Sequence, residues 1–240
     1  MQRFYIHNLD TTNFNIKIED KDFIRQILKV LRWKIWDKFV FFNGEDFIDY
    51  IFELKNIDKK FLEFEQVGRE EKNIQNKIEI NLFQAIPNKI DKIENIIKNG
   101  TQIWVSNFLF FKAERSQKLV ISEKKLERLK KIIVEASEQC GRNTIPEIVI
   151  WEKPVLTKIE WQKIFLHTKN NNSILLKDLK IDKNEIINIF VWPEGGFSDD
   201  EVWKFERNDF KRIYLWENIL RTELAWICSV FYLVQNNLSL

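Results

Sequence analysis

The chain has 240 residues, enough for one large domain or two ordinary ones, and at 45% hydrophobic and 31% charged residues it supports a packed core under a solvated surface. The longest nearly apolar run, 225–234, is too short to cross a bilayer, so no membrane partner is expected. Two cysteines and two histidines make neither a disulfide framework nor a Cys/His zinc site, so no metal is expected. The start, Met1 to Tyr5, carries no apolar signal core, so the expected location is cytoplasmic.

In chain order, the first 70 residues read as short strands rich in Phe, Ile and Val: 3–6, 15–19, 38–42, 47–54 and 61–67. Asn43-Gly44-Glu45-Asp46 carries a hairpin-turn signal. One helix interrupts them at about 22–31, where Ile24, Ile27, Leu28 and Leu31 share a face. This predicts a small barrel, 1–70. The polar stretch 69–77 then suggests a linker, placed at 71–77.

From 78 the rhythm changes. Strand-like runs at 78–85, 103–108, 148–151, 163–167, 186–191 and 212–215 alternate with helical patterns at about 89–99, 123–140, 199–205 and 219–234. That alternation predicts an α/β domain, 78–240, with a mostly parallel sheet covered on both faces. Ligands in such sheets bind at the carboxyl ends of strands. Charge is uneven: 12 Lys/Arg against 13 Asp/Glu in 1–70, 14 against 9 in 71–145, and 12 against 14 in 146–240. A polyanion would meet the middle of the chain first.

Residues 192–198, Trp-Pro-Glu-Gly-Gly-Phe-Ser, are the most informative stretch. They follow an apolar run and precede Asp199-Asp200-Glu201, and Ser198 with Glu201 reads as a capping box. Strand, glycine loop and helix start in that order aim backbone N–H groups at whatever lies above the strand end. Two further segments carry unusual polar content: Glu138-Gln139-Cys140-Gly141-Arg142-Asn143, and Leu215 through Glu223. Singly, each has a plain structural explanation, such as a helix-ending glycine at Gly141.

Together, in this order and spacing, these strings resemble the RsmE-type methyltransferases of the SPOUT class, which methylate N3 of a uridine in small-subunit ribosomal RNA. The resemblance runs nearly end to end, through Arg3-Phe4-Tyr5, Val30-Leu31-Arg32, Asp37, Asn43-Gly44, Gln84-Ala85, Lys92 and Glu114-Arg115-Ser116. It implies a PUA-like β-barrel domain that helps to hold RNA, and an α/β trefoil-knot domain whose C-terminal segment threads a loop. It also implies a homodimer acting on ribosomal RNA of the small ribosomal subunit, with S-adenosyl-L-methionine as cofactor.

Site roles carry over by position. The cofactor is expected against Leu166 and His167, against Trp192, Pro193, Glu194, Gly195 and Gly196, and against Leu215, Trp216, Asn218 and Leu220. His167 is expected to shape its loop rather than to catalyse. Uridine N3 carries a proton that must leave, so a base or a stabilised anion is needed. Arg221 is the candidate to stabilise charge on the uracil oxygens. Glu223 is a candidate base, with an ion pair to a neighbouring basic residue as the alternative. Arg3, Arg32, Arg115, Arg142 and Asn143 are the expected RNA contacts.

The chain departs from the resemblance in a pattern: tryptophan stands where the family has glycine, at Trp36, Trp104, Trp192 and Trp216. Such points need positive φ or close backbone approach, which a large side chain opposes. Average glycine usage of roughly 7% predicts about 17 glycines at this length, whereas the chain has 6, with 9 tryptophans. A genetic code that reads UGA as glycine, written out as tryptophan, produces this pattern. The alternative is a divergent Trp-rich protein with a remodelled pocket, and UGG codons at the four positions would establish it. Gln26, Gln102 and Leu224 are further departures, where the family has His, Glu and Thr. Two other functional readings compete: a non-catalytic RNA-binding protein of the same fold, in which Trp192 and Trp216 fill the cofactor site, and a SPOUT enzyme acting on transfer RNA.

Overall fold

The computed structural model describes residues 1–71, 78–116, 119–182 and 185–237. The chain divides into two compact units, one of 1–74 with 137–145 and one of 75–136 with 146–240. The expected linker falls almost wholly on 72–77, outside the described residues. The polar residues 69–71 before it belong to a strand.

The first unit holds a five-stranded sheet: β1 (Gln2–Tyr5), β2 (Asn15–Ile18), β3 (Lys38–Phe42), β4 (Ile48–Ile57) and β5 (Leu62–Glu71), in the order β1-β3-β4-β5-β2. Only β1 and β3 pair in parallel; the other neighbours are antiparallel. The inward residues of alternating strands, Phe4, Phe39, Phe41, Phe52 and Phe64, form an aromatic core closed by Ile24 and Ile27. The expected helix begins as α1 (Lys21–Arg25), where the Asp20 carboxylate accepts the Phe23 N–H at 2.7 Å. It continues as a wider π-type turn over Gln26–Val30.

The second unit is built on seven strands: β6 (Ile80–Ala85), β7 (Asn107–Phe111), β8 (Glu147–Trp151), β9 (Gln162–Leu166), β10 (Ile174–Leu175), β11 (Ile187–Val191) and β12 (Lys211–Tyr214). Their order is β10-β12-β9-β11-β6-β7-β8, and every pairing is parallel. All five residues of β11 are buried, as expected of a strand covered on both faces. Phe83 and Phe190 stack at 4.2 Å within this core. The helices are α2 (Ile90–Gln102), α3 (Glu123–Cys140, whose last residues fall in the first unit), α4 (Asp199–Arg207) and α5 (Thr222–Asn237).

The sequence reading missed β10 and misplaced one strand. Residues 103–106 do not extend: Ile103 caps α2, and Val105, fully buried, closes the helix end, so β7 starts only at Asn107. The final helix starts at Thr222 rather than 219, which leaves Asn218 to Arg221 in the loop after β12.

Two expected glycine positions have a left-handed backbone: Trp36 and Trp104 both stand at φ +79°. For a residue with a Cβ this conformation costs about 1–2 kcal/mol. Trp192 and Trp216 do not share it; the residues with positive φ are others.

Candidate functional site

β12, β9 and β11 are adjacent: after β9 the chain runs to β10 at the sheet edge beyond β12, returns to β11 on the opposite side of β9, and then crosses back to β12. That reversal opens a crevice at the carboxyl ends of the three strands. A cleft of about 320 Å³, open to solvent, lies there, lined by His167, Thr168 and Lys169 after β9, Trp192 after β11, and Leu215 through Leu220 after β12. Of the three segments singled out in the sequence, 192–198 and 215–223 contribute to this cavity, together with the loop after β9; the third, 138–143, belongs to the first unit and is not part of it.

Of the expected cofactor residues, His167, Trp192, Leu215, Trp216, Asn218 and Leu220 line this cleft. Leu166 is the last residue of β9 and fully buried in the core. Pro193, Glu194, Gly195 and Gly196 form the loop beside the cleft and are not part of its lining. Thr168 and Lys169 were missed; a short polar stretch after a strand gives no periodic signal. Lys169 pairs with Glu217 at 2.7 Å, joining the segments after β9 and β12. Burial pushes the His167 imidazole below its usual pKa, and the nearby Arg212 acts in the same direction. A neutral ring suits a loop-shaping role.

The glycine loop is braced from several sides. The Trp192 carbonyl accepts from the Thr222 hydroxyl at 2.7 Å and from Gln84 Nε2 at 3.3 Å. Arg115 Nη1 donates to the Gly195 carbonyl at 3.1 Å. A Cβ at Gly195 would meet Arg115 Cβ at 3.2 Å, and Gly196 has φ +71°. The close neighbour of this backbone is therefore the Arg115 side chain. The capping box is present: Glu201 N–H donates to Ser198 Oγ at 3.1 Å, and Ser198 N–H to Glu201 Oε2 at 2.9 Å.

Glu223 sits in the first turn of α5 and pairs with Lys92 at 2.8 Å; the same ammonium holds Glu194 at 2.8 Å. The Lys92 hydrogen bond keeps Glu223 below the usual carboxylate pKa against a smaller opposing effect of burial. Burial pushes Glu194 up, but Lys92 and the N–H groups of Glu194 and Asn88 outweigh it, so it too is lowered. Both carboxylates are ionised and engaged, which suits a brace better than a proton acceptor. Arg221 is exposed just before α5, with no ion pair among the described residues.

The residues expected to meet RNA divide. Arg32 and Arg115 are exposed. Within the first unit, Arg3 forms a two-pronged pair with the buried carboxylate of Asp49, one contact at 2.8 Å, and Asn143 Nδ2 lies 3.5 Å from Asp49 Oδ1. Arg142 and Asn143 are 4% and 1% exposed. Arg142 Nε donates to Thr144 Oγ1 at 2.8 Å, and burial lowers its guanidinium pKa to about 10. Both were expected to contact RNA; their burial leaves them almost no surface to offer a phosphate. Among the described residues no group of three or more His, Cys, Asp or Glu could hold a metal ion, and no helix is long and apolar enough to cross a membrane.

The family model of the RNA methyltransferase domain matches residues 74–234, the stretch that holds this parallel sheet and its strand-end cleft. Ribosomal RNA small subunit methyltransferase E of Buchnera aphidicola (from Acyrthosiphon pisum) is 30% identical, covering 95% of this chain and 90% of that protein. The protein of the same name from Rickettsia conorii is also 30% identical, over 95% and 93%. In fold, the crystal structure of the Neisseria gonorrhoeae methyltransferase E, bound to S-adenosyl methionine, superposes with a TM-score of 0.87 at 24% identity, over 98% of both chains. The chain belongs to the family of ribosomal RNA small subunit methyltransferase E proteins.

Proposed function

We propose that this protein transfers a methyl group from S-adenosyl-L-methionine to N3 of a uridine in small-subunit ribosomal RNA, working in the cytoplasm. The observation that carries the reading is the convergence of three strand-end segments on one cleft in a chain of this family. The lining suits the cofactor: it is mainly loop backbone with apolar side chains from Trp192, Leu215, Ile219 and Leu220, the kind of surface that reads an adenine by main-chain groups and shape. When bound, the cofactor supplies the electrophilic methyl group; the protein supplies alignment and charge. Arg221, exposed beside the cleft, would stabilise negative charge on the uracil as its N3 proton leaves. Lys92 would hold the glycine loop and the start of α5 in register through Glu194 and Glu223. Arg32 and Arg115 would contact the RNA backbone.

The reading extends to the knot, the PUA-like barrel and a homodimer. Leu224, Cys228 and Phe231 form an exposed stripe along α5, with Ile219 (78% exposed) and Trp216 in the preceding loop. An apolar stripe of this kind favours burial against a second copy. The test of function is nucleoside mass spectrometry of small-subunit RNA after incubation with the protein and labelled cofactor. A new N3-methyluridine supports the reading, and label on transfer RNA alone would sink it. Trp192 and Trp216 in the cleft favour a second reading, a non-catalytic RNA-binding protein. Calorimetry with S-adenosylhomocysteine separates the two: micromolar binding supports the enzyme, and no heat at high protein concentration supports the alternative.

A further inference from the structure

Seven non-glycine residues among those described have positive φ, and three of them are tryptophan: Trp36 (+79°), Trp104 (+79°) and Trp161 (+65°). Tryptophan is only 9 of 240 residues. Asn8 and Asp209, also in the set, are types that tolerate this conformation through local hydrogen bonds; an indole side chain has no such compensation.

Local hydrogen bonding shows what the first two positions require. Asp37 N–H bonds the Lys34 carbonyl at 3.1 Å, so residues 34–37 form a four-residue turn with Trp36 third. A turn with positive φ at its third residue is the type that calls for glycine there. At the end of α2, Val105 N–H reaches the Gly100 carbonyl at 2.9 Å and Trp104 N–H reaches that of Thr101 at 3.4 Å. This is the Schellman pairing, and Trp104 occupies its left-handed residue, the position most often held by glycine. Directly after α3, where the backbone is also left-handed, the chain does have glycine: Gly141, at φ +80°. Trp161 stands just before β9.

The side chains of Trp36 and Trp161 do not explain the placement. Trp36 is 66% exposed and Trp161 56%. The ring of Trp36 meets the Lys55 ammonium at 4.4 Å, a contact that any aromatic residue on ordinary backbone can make. Left-handed backbone at all three positions, the indoles of Trp36 and Trp161 left in solvent, and a glycine count of 6 point the same way.

We infer that positions 36, 104 and 161 are glycine in the protein as its own ribosomes make it, with UGA codons translated as glycine. The inference is independent of the methyltransferase reading, since it rests on backbone geometry, side-chain exposure and composition. Tandem mass spectrometry of peptides spanning the three positions, from protein purified from its own cells, is the direct test. Glycine at all three is the expected result, and tryptophan at any of them overturns the inference. A second measurement compares recombinant chains. The Trp36→Gly/Trp104→Gly/Trp161→Gly variant is expected to melt higher than the chain with tryptophan, by about 2 °C or more per position. An unchanged or lower melting temperature would count against it.

Discussion

Lys92 Nζ lies 2.8 Å from Glu223 Oε1, which ties the first turn of α2 to the first turn of α5, and the same nitrogen holds Glu194 of the glycine loop. Lys92→Met removes the shared cation and leaves two carboxylates facing each other. The pairs are partly exposed, so the expected cost is modest, about 1 kcal/mol. If the two loops frame the cofactor, affinity for S-adenosylhomocysteine falls about fivefold, and Lys92→Arg restores most of it. The sign with pH follows from the shifts. Glu223 and Glu194 are lowered in the folded chain, so their contribution is full above the ordinary carboxylate pKa of 4.5 and is lost as pH falls below it. Lys92 is raised by its hydrogen bonds to Glu194 and Glu223, so its contribution is full below 10.5 and is lost as pH rises above that. Binding isotherms at pH 7 for the three proteins check this; wild-type affinity in Lys92→Met would remove Lys92 from the site.

Two adjacent glycines fail for different reasons when given a Cβ. At Gly196 there is open space but φ is +71°, so Gly196→Ala is strained by about 1–2 kcal/mol whatever surrounds it. At Gly195 the obstacle is Arg115, whose Cβ would stand 3.2 Å away and can yield by a few tenths of an ångström. Gly195→Ala is therefore expected to be the milder change in thermal unfolding and to act by shifting Arg115. The reverse order of melting temperatures would contradict this account of the loop.

Much of this site was legible in the sequence, and the reasons differ by element. Ser198 and Glu201 announce α4 because a capping box is a local device that needs no tertiary partner. β11 was readable as an apolar run, interrupted only by Asn188, because both its faces are covered. The start of α5 was not: Ile219 and Leu220 continue its apolar character, yet they line the cleft in a loop. Nor could composition reveal that Arg142 and Asn143 turn inward. Arg142 donates to Thr144 and Asn143 lies against Asp49, 94 residues away, and a polar string looks the same in sequence whether it faces water or such partners. β10, two residues long, carries too little pattern for any periodicity to register.

Arg221 is the residue on which the proposed chemistry turns. It is exposed, precedes α5 directly and has no ion pair among the described residues, so its charge is available to a bound base. A donor that meets charge only as it develops affects turnover rather than ground-state binding. Arg221→Ala is expected to lower kcat by about 10²-fold, in the range seen when one such donor is removed. Its dissociation constant for S-adenosylhomocysteine should stay near that of the wild type. Equal losses in both quantities would make Arg221 a structural residue of the loop.

Trp216 gives the cleft its remaining test. It follows Leu215 in the lining, is 64% exposed, and shares the cavity with Trp192, so two indoles line the cleft. Its backbone is not left-handed, so the case for a smaller residue here rests on space alone. Trp216→Gly removes a large apolar side chain that nothing buries, so folding loses little while the cavity widens. Calorimetry should then show S-adenosylhomocysteine binding at least tenfold tighter, about 1.4 kcal/mol, provided the indole obstructs the ligand. Weaker binding in the variant would show instead that the ring of Trp216 is itself part of the binding surface, stacked on the ligand rather than in its way.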